Sequence, residues 1–83
     1  MRILGIDPGS HITGYGMVDS EKGRLFHVCD GSIVTAPKNP LTLRLNSIFD
    51  NIHKIISEFK PGAVVIEEIF YAKNARSAII LGH

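Results

Sequence analysis

The chain has 83 residues and a formal net charge of +1, with 45% hydrophobic and 20% charged residues. That length allows one small domain, and a chain of this size buries only roughly 60% of the surface its unfolded form exposes, so the core must be thin. A single cysteine, Cys29, excludes an intramolecular disulfide, no Cys/His spacing suits zinc, and a sequence pI of about 8.0 lacks the basic excess of a dedicated nucleic-acid binder.

Residues 2–7, Arg-Ile-Leu-Gly-Ile-Asp, form an apolar run typical of a buried central strand. The run reaches an acid too soon to be a signal-peptide core, and no later run approaches membrane-spanning length. With its lone cysteine, the chain therefore reads as a soluble cytosolic domain in a reducing compartment. Asp7-Pro8-Gly9-Ser10 is turn chemistry. A second strand spans 12–19, with Gly14 and Gly16 two apart on one face, a pattern of close backbone approach or a bulge. Ser20 to Gly23 suits a hairpin turn. A third strand spans 24–34, with Phe26 and Val28 on one face and Leu25, His27 and Cys29 on the other.

Ala36-Pro37-Lys38-Asn39-Pro40 breaks the strand pattern, Asn39 can cap a helix, and Pro40 suits its first position. The helix is expected over about 40–59. Leu41, Leu45, Ile48, Phe49, Ile52, Ile55, Ile56 and Phe59 form one apolar stripe wide enough to cover a sheet. Lys60-Pro61-Gly62 ends it. Residues 63–67, Ala-Val-Val-Ile-Glu, read as a fourth buried strand. Ala75 to Leu81 reads as the beginning of a helix, and a helix this short with nothing after it suggests a truncated fold.

Two short turns make strands one to three an antiparallel meander, so strands one and three run the same way. A long helical crossover favours a fourth strand parallel to them, with a right-handed connection. Asp7 and Glu67 then close strands that end at one sheet edge, where open α/β sheets place ligands, and if the two strands are neighbours these carboxylates meet, although 60 positions apart. Two close carboxylates repel, and a hard divalent cation such as Mg²⁺ removes that penalty. The plainer alternative is that Asp7 is a turn former and Glu67 a solvated strand end. A third alternative is a phosphate loop: Leu4 to Gly9 before a glycine-bearing hairpin also resembles actin-like ATPases and sugar kinases, where hairpin amides cradle phosphate.

More specific strings follow. Ile3-Leu4-Gly5-Ile6-Asp7-Pro8-Gly9-Ser10 with Thr13-Gly14-Tyr15-Gly16, then Val65-Ile66-Glu67-Glu68-Ile69-Phe70 with Ala72-Lys73-Asn74-Ala75, Ser77-Ala78 and Leu81-Gly82, resemble the two N-terminal blocks of the RuvC family. The kinase families lack the second block. Another ribonuclease-H-like nuclease, of the YqgF type, would be expected to carry a lysine-rich continuation after Gly9, which Ser10-His11-Ile12 does not supply.

The resemblance covers essentially the whole chain. It implies that residues 1–83 are the N-terminal part of a single ribonuclease-H-like nuclease domain. The implied activity is metal-dependent hydrolysis at four-way (Holliday) DNA junctions, in recombination and repair, by a homodimer served by RuvA and RuvB. The same resemblance implies that Asp7 and Glu67 are catalytic metal ligands for Mg²⁺ or Mn²⁺, two ions in the complete site. It further implies that Phe70 contacts DNA and that Lys73 and Arg76 contact phosphates, against plain readings as a core aromatic and surface charges. The family's remaining ligands lie near the end of a chain roughly twice as long, so this piece alone is expected to be inactive. Ser10, His11 and Tyr15 read as turn or packing residues, and His27, His53 and His83 share no ligand spacing.

Overall fold

The computed structural model describes residues 1–9, 11–68 and 75–81, with residues 67, 68 and 75–79 described by their backbone. Strands β1 (Arg2–Asp7), β2 (Ile12–Glu21) and β3 (Arg24–Val34) lead into helix α1 (Leu41–Phe59), followed by β4 (Ala63–Glu68) and β5 (Ala75–Ile80). They form one mixed sheet in the order β3-β2-β1-β4-β5. β1 is antiparallel to β2 and parallel to β4, as the crossover rule requires. The expected meander, crossover helix and parallel fourth strand are all present.

β1 lies at the centre because its alternate residues are apolar. Leu4 and Ile6 pack with Met17 and Val64 into the buried cluster, and Ile52, Ile55, Ile56 and Phe59 of α1 cover it. Only the C-terminal half of the helix does this. Leu41, Leu45 and Phe49 are exposed, so the stripe does not cover the sheet along its full length. Phe49 instead stacks on His53, with ring centroids 6.1 Å apart. Among the described residues no helix is long and apolar enough to cross a membrane.

Several local expectations are corrected. Met17 faces Cys29 but Val18 faces His27, so Val28 is an extra residue in β3, a β-bulge. The bulge breaks the strict alternation expected for 24–34, and Val28 and Cys29 both pack against the core. Pro40, not Asn39, holds the N-cap position, and no side chain caps the helix. Asn39 instead donates its amide to the Ala36 carbonyl at 3.0 Å, in a turn that sets up the helix start. Ala75–Ile80 forms a strand rather than a helix, antiparallel to β4 from Ala63↔Ile80 to Glu68↔Ala75. Without β5, β4 would leave its outer row of backbone groups open, and pairing satisfies more of them than a two-turn helix could.

The β2–β3 hairpin turns on Lys22 and Gly23, both with positive φ (50° and 78°), the geometry that matches strand twist in two-residue loops. A different constraint holds at Gly31. A Cβ there would sit 2.5 Å from the Tyr15 hydroxyl oxygen and 2.8 Å from its ring. Gly31→Val is therefore expected to destabilise by about 1–3 kcal/mol, the usual cost of overpacking, measured by urea unfolding.

Arg2 ties three elements together. Its Nε and Nη2 donate to the Asp19 carboxylate at 2.8 and 3.0 Å, and its Nη1 donates to the Phe59 carbonyl at 3.0 Å. The last contact satisfies a carbonyl at the C-terminus of α1, where a cation is favoured. Hydrogen bonding to Asp19 raises the Arg2 pKa, and hydrogen bonding to Arg2 lowers that of Asp19. A lowered carboxylate pKa stabilises the fold above the unfolded value, and that contribution is lost as pH falls through the folded value. Stability is thus expected to fall as pH drops below about 4, the ordinary Asp value. Asp19→Asn should flatten that slope in thermal melts taken across acid pH.

Candidate metal centre

The parallel β1–β4 ladder runs from Ile3↔Ala63 to Ile6↔Ile66. The next residues along the two strands are Asp7 and Glu67. Adjacent strands stand about 4.8 Å apart, a backbone separation that one cation with carboxylate ligands on both strands can bridge. Asp7 is exposed, so a cation and its waters can reach it. Across the other ladder Asp7 faces Gly14, and across β4–β5 Glu67 faces Arg76.

The turn after Asp7 explains how β2 returns so closely. A Cβ on Gly9 would run into the Ile12 carbonyl oxygen, so only glycine lets the chain double back there. The far end of the turn is tied down by the Thr35 amide, which donates to the His11 carbonyl at 2.9 Å. Beside Asp7 the sheet carries an open cavity of about 400 Å³, bordered by Gly5, Gly14, Gly16, Val65 and Asp30.

Asp30 is the residue that the sequence reading missed. It faces Gly16 across the β2–β3 ladder, and its Oδ2 lies 2.6 Å from His27 Nε2. Asp30 is one of several polar residues of β3, with Arg24, His27 and Ser32, and nothing in the strand's own pattern singles it out. Among the described residues no group of three or more His, Cys, Asp or Glu side chains could hold a metal. His27 is engaged by Asp30, and Tyr15 and Cys29 pack against the core, as their plain readings have it. Phe70 and Lys73, with Ser10 and His83, lie outside the described residues, and Arg76 lies on β5.

Comparison with known proteins decides the family. The family model described as crossover junction endodeoxyribonuclease RuvC matches residues 3–83. This chain belongs to the RuvC family. A RuvC crossover junction endodeoxyribonuclease of Syntrophotalea carbinolica is 51% identical over 83 residues, 100% of this chain and 52% of the relative. The chain thus spans about half the length of the curated RuvC relatives it matches.

Thermus thermophilus RuvC superposes with a TM-score of 0.76 at 32% identity, over 88% of this chain and 46% of that one. The same protein, solved in complex with Holliday junction substrate, gives 0.72 over the same shares. An Aquifex aeolicus member of the Ppx/GppA family shares the fold at 18% identity and a TM-score of 0.65, over 82% of this chain and 26% of that one. The sheet alone therefore does not single out RuvC; the family match does.

Proposed function

We propose that this chain is the part of a Holliday-junction endonuclease that carries Asp7 and Glu67, the first carboxylates of its divalent-metal site. The observation that carries the reading is the parallel β1–β4 register, which continues by one residue into Asp7 and Glu67 at one sheet edge. Metal ions held there would polarise the scissile phosphate and an attacking water. The chain's own contribution is to fix two acids on rigid neighbouring strands and to keep the approach to Asp7 open.

Mg²⁺ or Mn²⁺ suits carboxylate oxygens and water, and two ions suit phosphodiester displacement. The further ligands belong to the half that the longer relatives possess, so the 83 residues alone bind metal weakly and do not cut. Phe70 stacks on a base at the distorted junction, and Lys73 and Arg76 add phosphate contacts, with the salt dependence such contacts bring. Arg76 supports this by its register position opposite Glu67. The whole enzyme acts in the cytoplasm as a homodimer on four-way DNA, with RuvA and RuvB as branch-migration partners.

The test uses a chimera in which these 83 residues run into the second half of the Syntrophotalea carbinolica relative. Asp7→Asn and Glu67→Gln are expected to bind junctions and fail to cut them. Cleavage by either variant at the parent rate removes that residue from the catalytic role.

A further inference from the structure

β3 is the outermost strand on its side of the sheet. At 11 residues it is longer than β5, the 6-residue strand at the other edge. Among the described residues it pairs with β2 alone, which leaves its outer row of backbone N–H and C=O groups open. Leu25, Phe26 and Val34 are exposed along it. A long edge strand with apolar side chains is a template for pairing with another chain.

Two features of β3 oppose such pairing. The first is the Val28 bulge, an extra residue opposite the step from Met17 to Val18. A bulge breaks the even spacing of the outer row and sharpens the local twist, so a regular second strand cannot follow it. The second is the pair of His27 and Asp30. In a regular strand, residues three apart point to opposite faces. Here His27 faces Val18 and Asp30 faces Gly16, and those two β2 residues share a face. The extra residue therefore turns His27 and Asp30 to the same side, where Nε2 and Oδ2 meet at 2.6 Å. The pair spans the bulge and holds it closed from the exposed side. On the inner side the register is pinned by Tyr15, which lies opposite Gly31 with its ring where a Cβ would stand.

We propose that the Val28 bulge, clasped by His27 and Asp30, is a guard that keeps the β3 edge from pairing with the β3 edge of a second copy of this chain. A second copy is the partner at issue because an antiparallel β3–β3 pair is self-complementary, and a formal charge of +1 gives two copies little mutual repulsion. The inference stands apart from the metal-site reading. It directs the homodimer contact proposed above to surfaces other than this edge.

The guard can be removed without turning the strand over. With Val28 deleted, His27 still faces Val18 and Cys29 still faces Met17, so every other β3 residue keeps its face. The experiment uses the 83-residue chain in three variants: deletion of Val28 combined with His27→Thr and Asp30→Thr; the two substitutions alone; and Asp50→Ala with Lys54→Ala, which removes an exposed acid and base from α1 instead. Amide hydrogen exchange across 24–34 is measured from micromolar to near-millimolar concentration, with sedimentation velocity alongside. In the parent and in the α1 variant, exchange in β3 is expected not to depend on concentration. In the deletion variant the outward amides of β3 should gain at least about tenfold protection as concentration rises, together with a dimer boundary. The two substitutions alone should give a smaller rise in the same amides. A folded deletion variant whose β3 exchange ignores concentration overturns the proposal, as does a parent that already shows the rise. If the deletion variant does not fold, the two substitutions decide: both positions are exposed, threonine suits a strand, and no rise in β3 protection overturns the proposal.

Discussion

Asp7→Asn in the chimera should lower junction cleavage by about three orders of magnitude, roughly 4 kcal/mol of lost transition-state stabilisation, and leave junction affinity within a few fold. The substitution keeps the size and the turn-forming capacity of Asp7 but removes the charge. Asp7 is exposed and faces only Gly14 across β2, so the change costs the fold little. Glu67→Gln, on the neighbouring strand, should have the same effect. If both acids hold the same metal site, the double variant should be scarcely worse than either single one, as is typical of residues acting as a unit. Additive losses would mean that the two residues work separately.

Leu4→Ala should cost about 2–5 kcal/mol, the range for deleting a fully enclosed leucine. Leu4 is 0% exposed and sits where the sheet is most enclosed, opposite Met17 on β2 and Val64 on β4. In a domain whose total stability is of order 0.05–0.15 kcal/mol per residue, that is a large share, and much of the population should be unfolded at 37 °C. Leu43, by contrast, is exposed on α1, and Leu43→Ala should stay within about 0.5 kcal/mol of the parent. Urea titration of the two variants separates these outcomes, and equal midpoints would mean that the core is not where the packing places it.

The elements visible in the sequence are those whose pattern is local. The apolar run before Asp7, the polar hairpin at Lys22-Gly23 and the stripe from Leu41 to Phe59 each follow from the spacing of a few residues. The β1–β4 pairing also followed, since a helical crossover leaves little choice of direction. Features set by distant partners were not legible. The Val28 bulge arises from the match between β2 and β3, and no signal within 24–34 places it. Residues 75–80 have helix-compatible alanines, but the open edge of β4 draws them into a strand. The exposed N-terminal half of α1 depends on how far the sheet extends beneath it. For the site, the position of Asp7 beside β4 was readable from strand direction, whereas Asp30 was not, because only the β2–β3 register brings it to the cavity.

The central claim is that Asp7 and Glu67 serve one cation, and Mn²⁺ titration of the 83-residue chain followed by NMR tests it most directly. Paramagnetic broadening should appear first at the amides around Asp7 and Glu67 together and disappear from both when either Asp7→Asn or Glu67→Gln is introduced. Broadening centred on His27 and Asp30, or broadening at Asp7 that survives Glu67→Gln unchanged, would contradict the shared site.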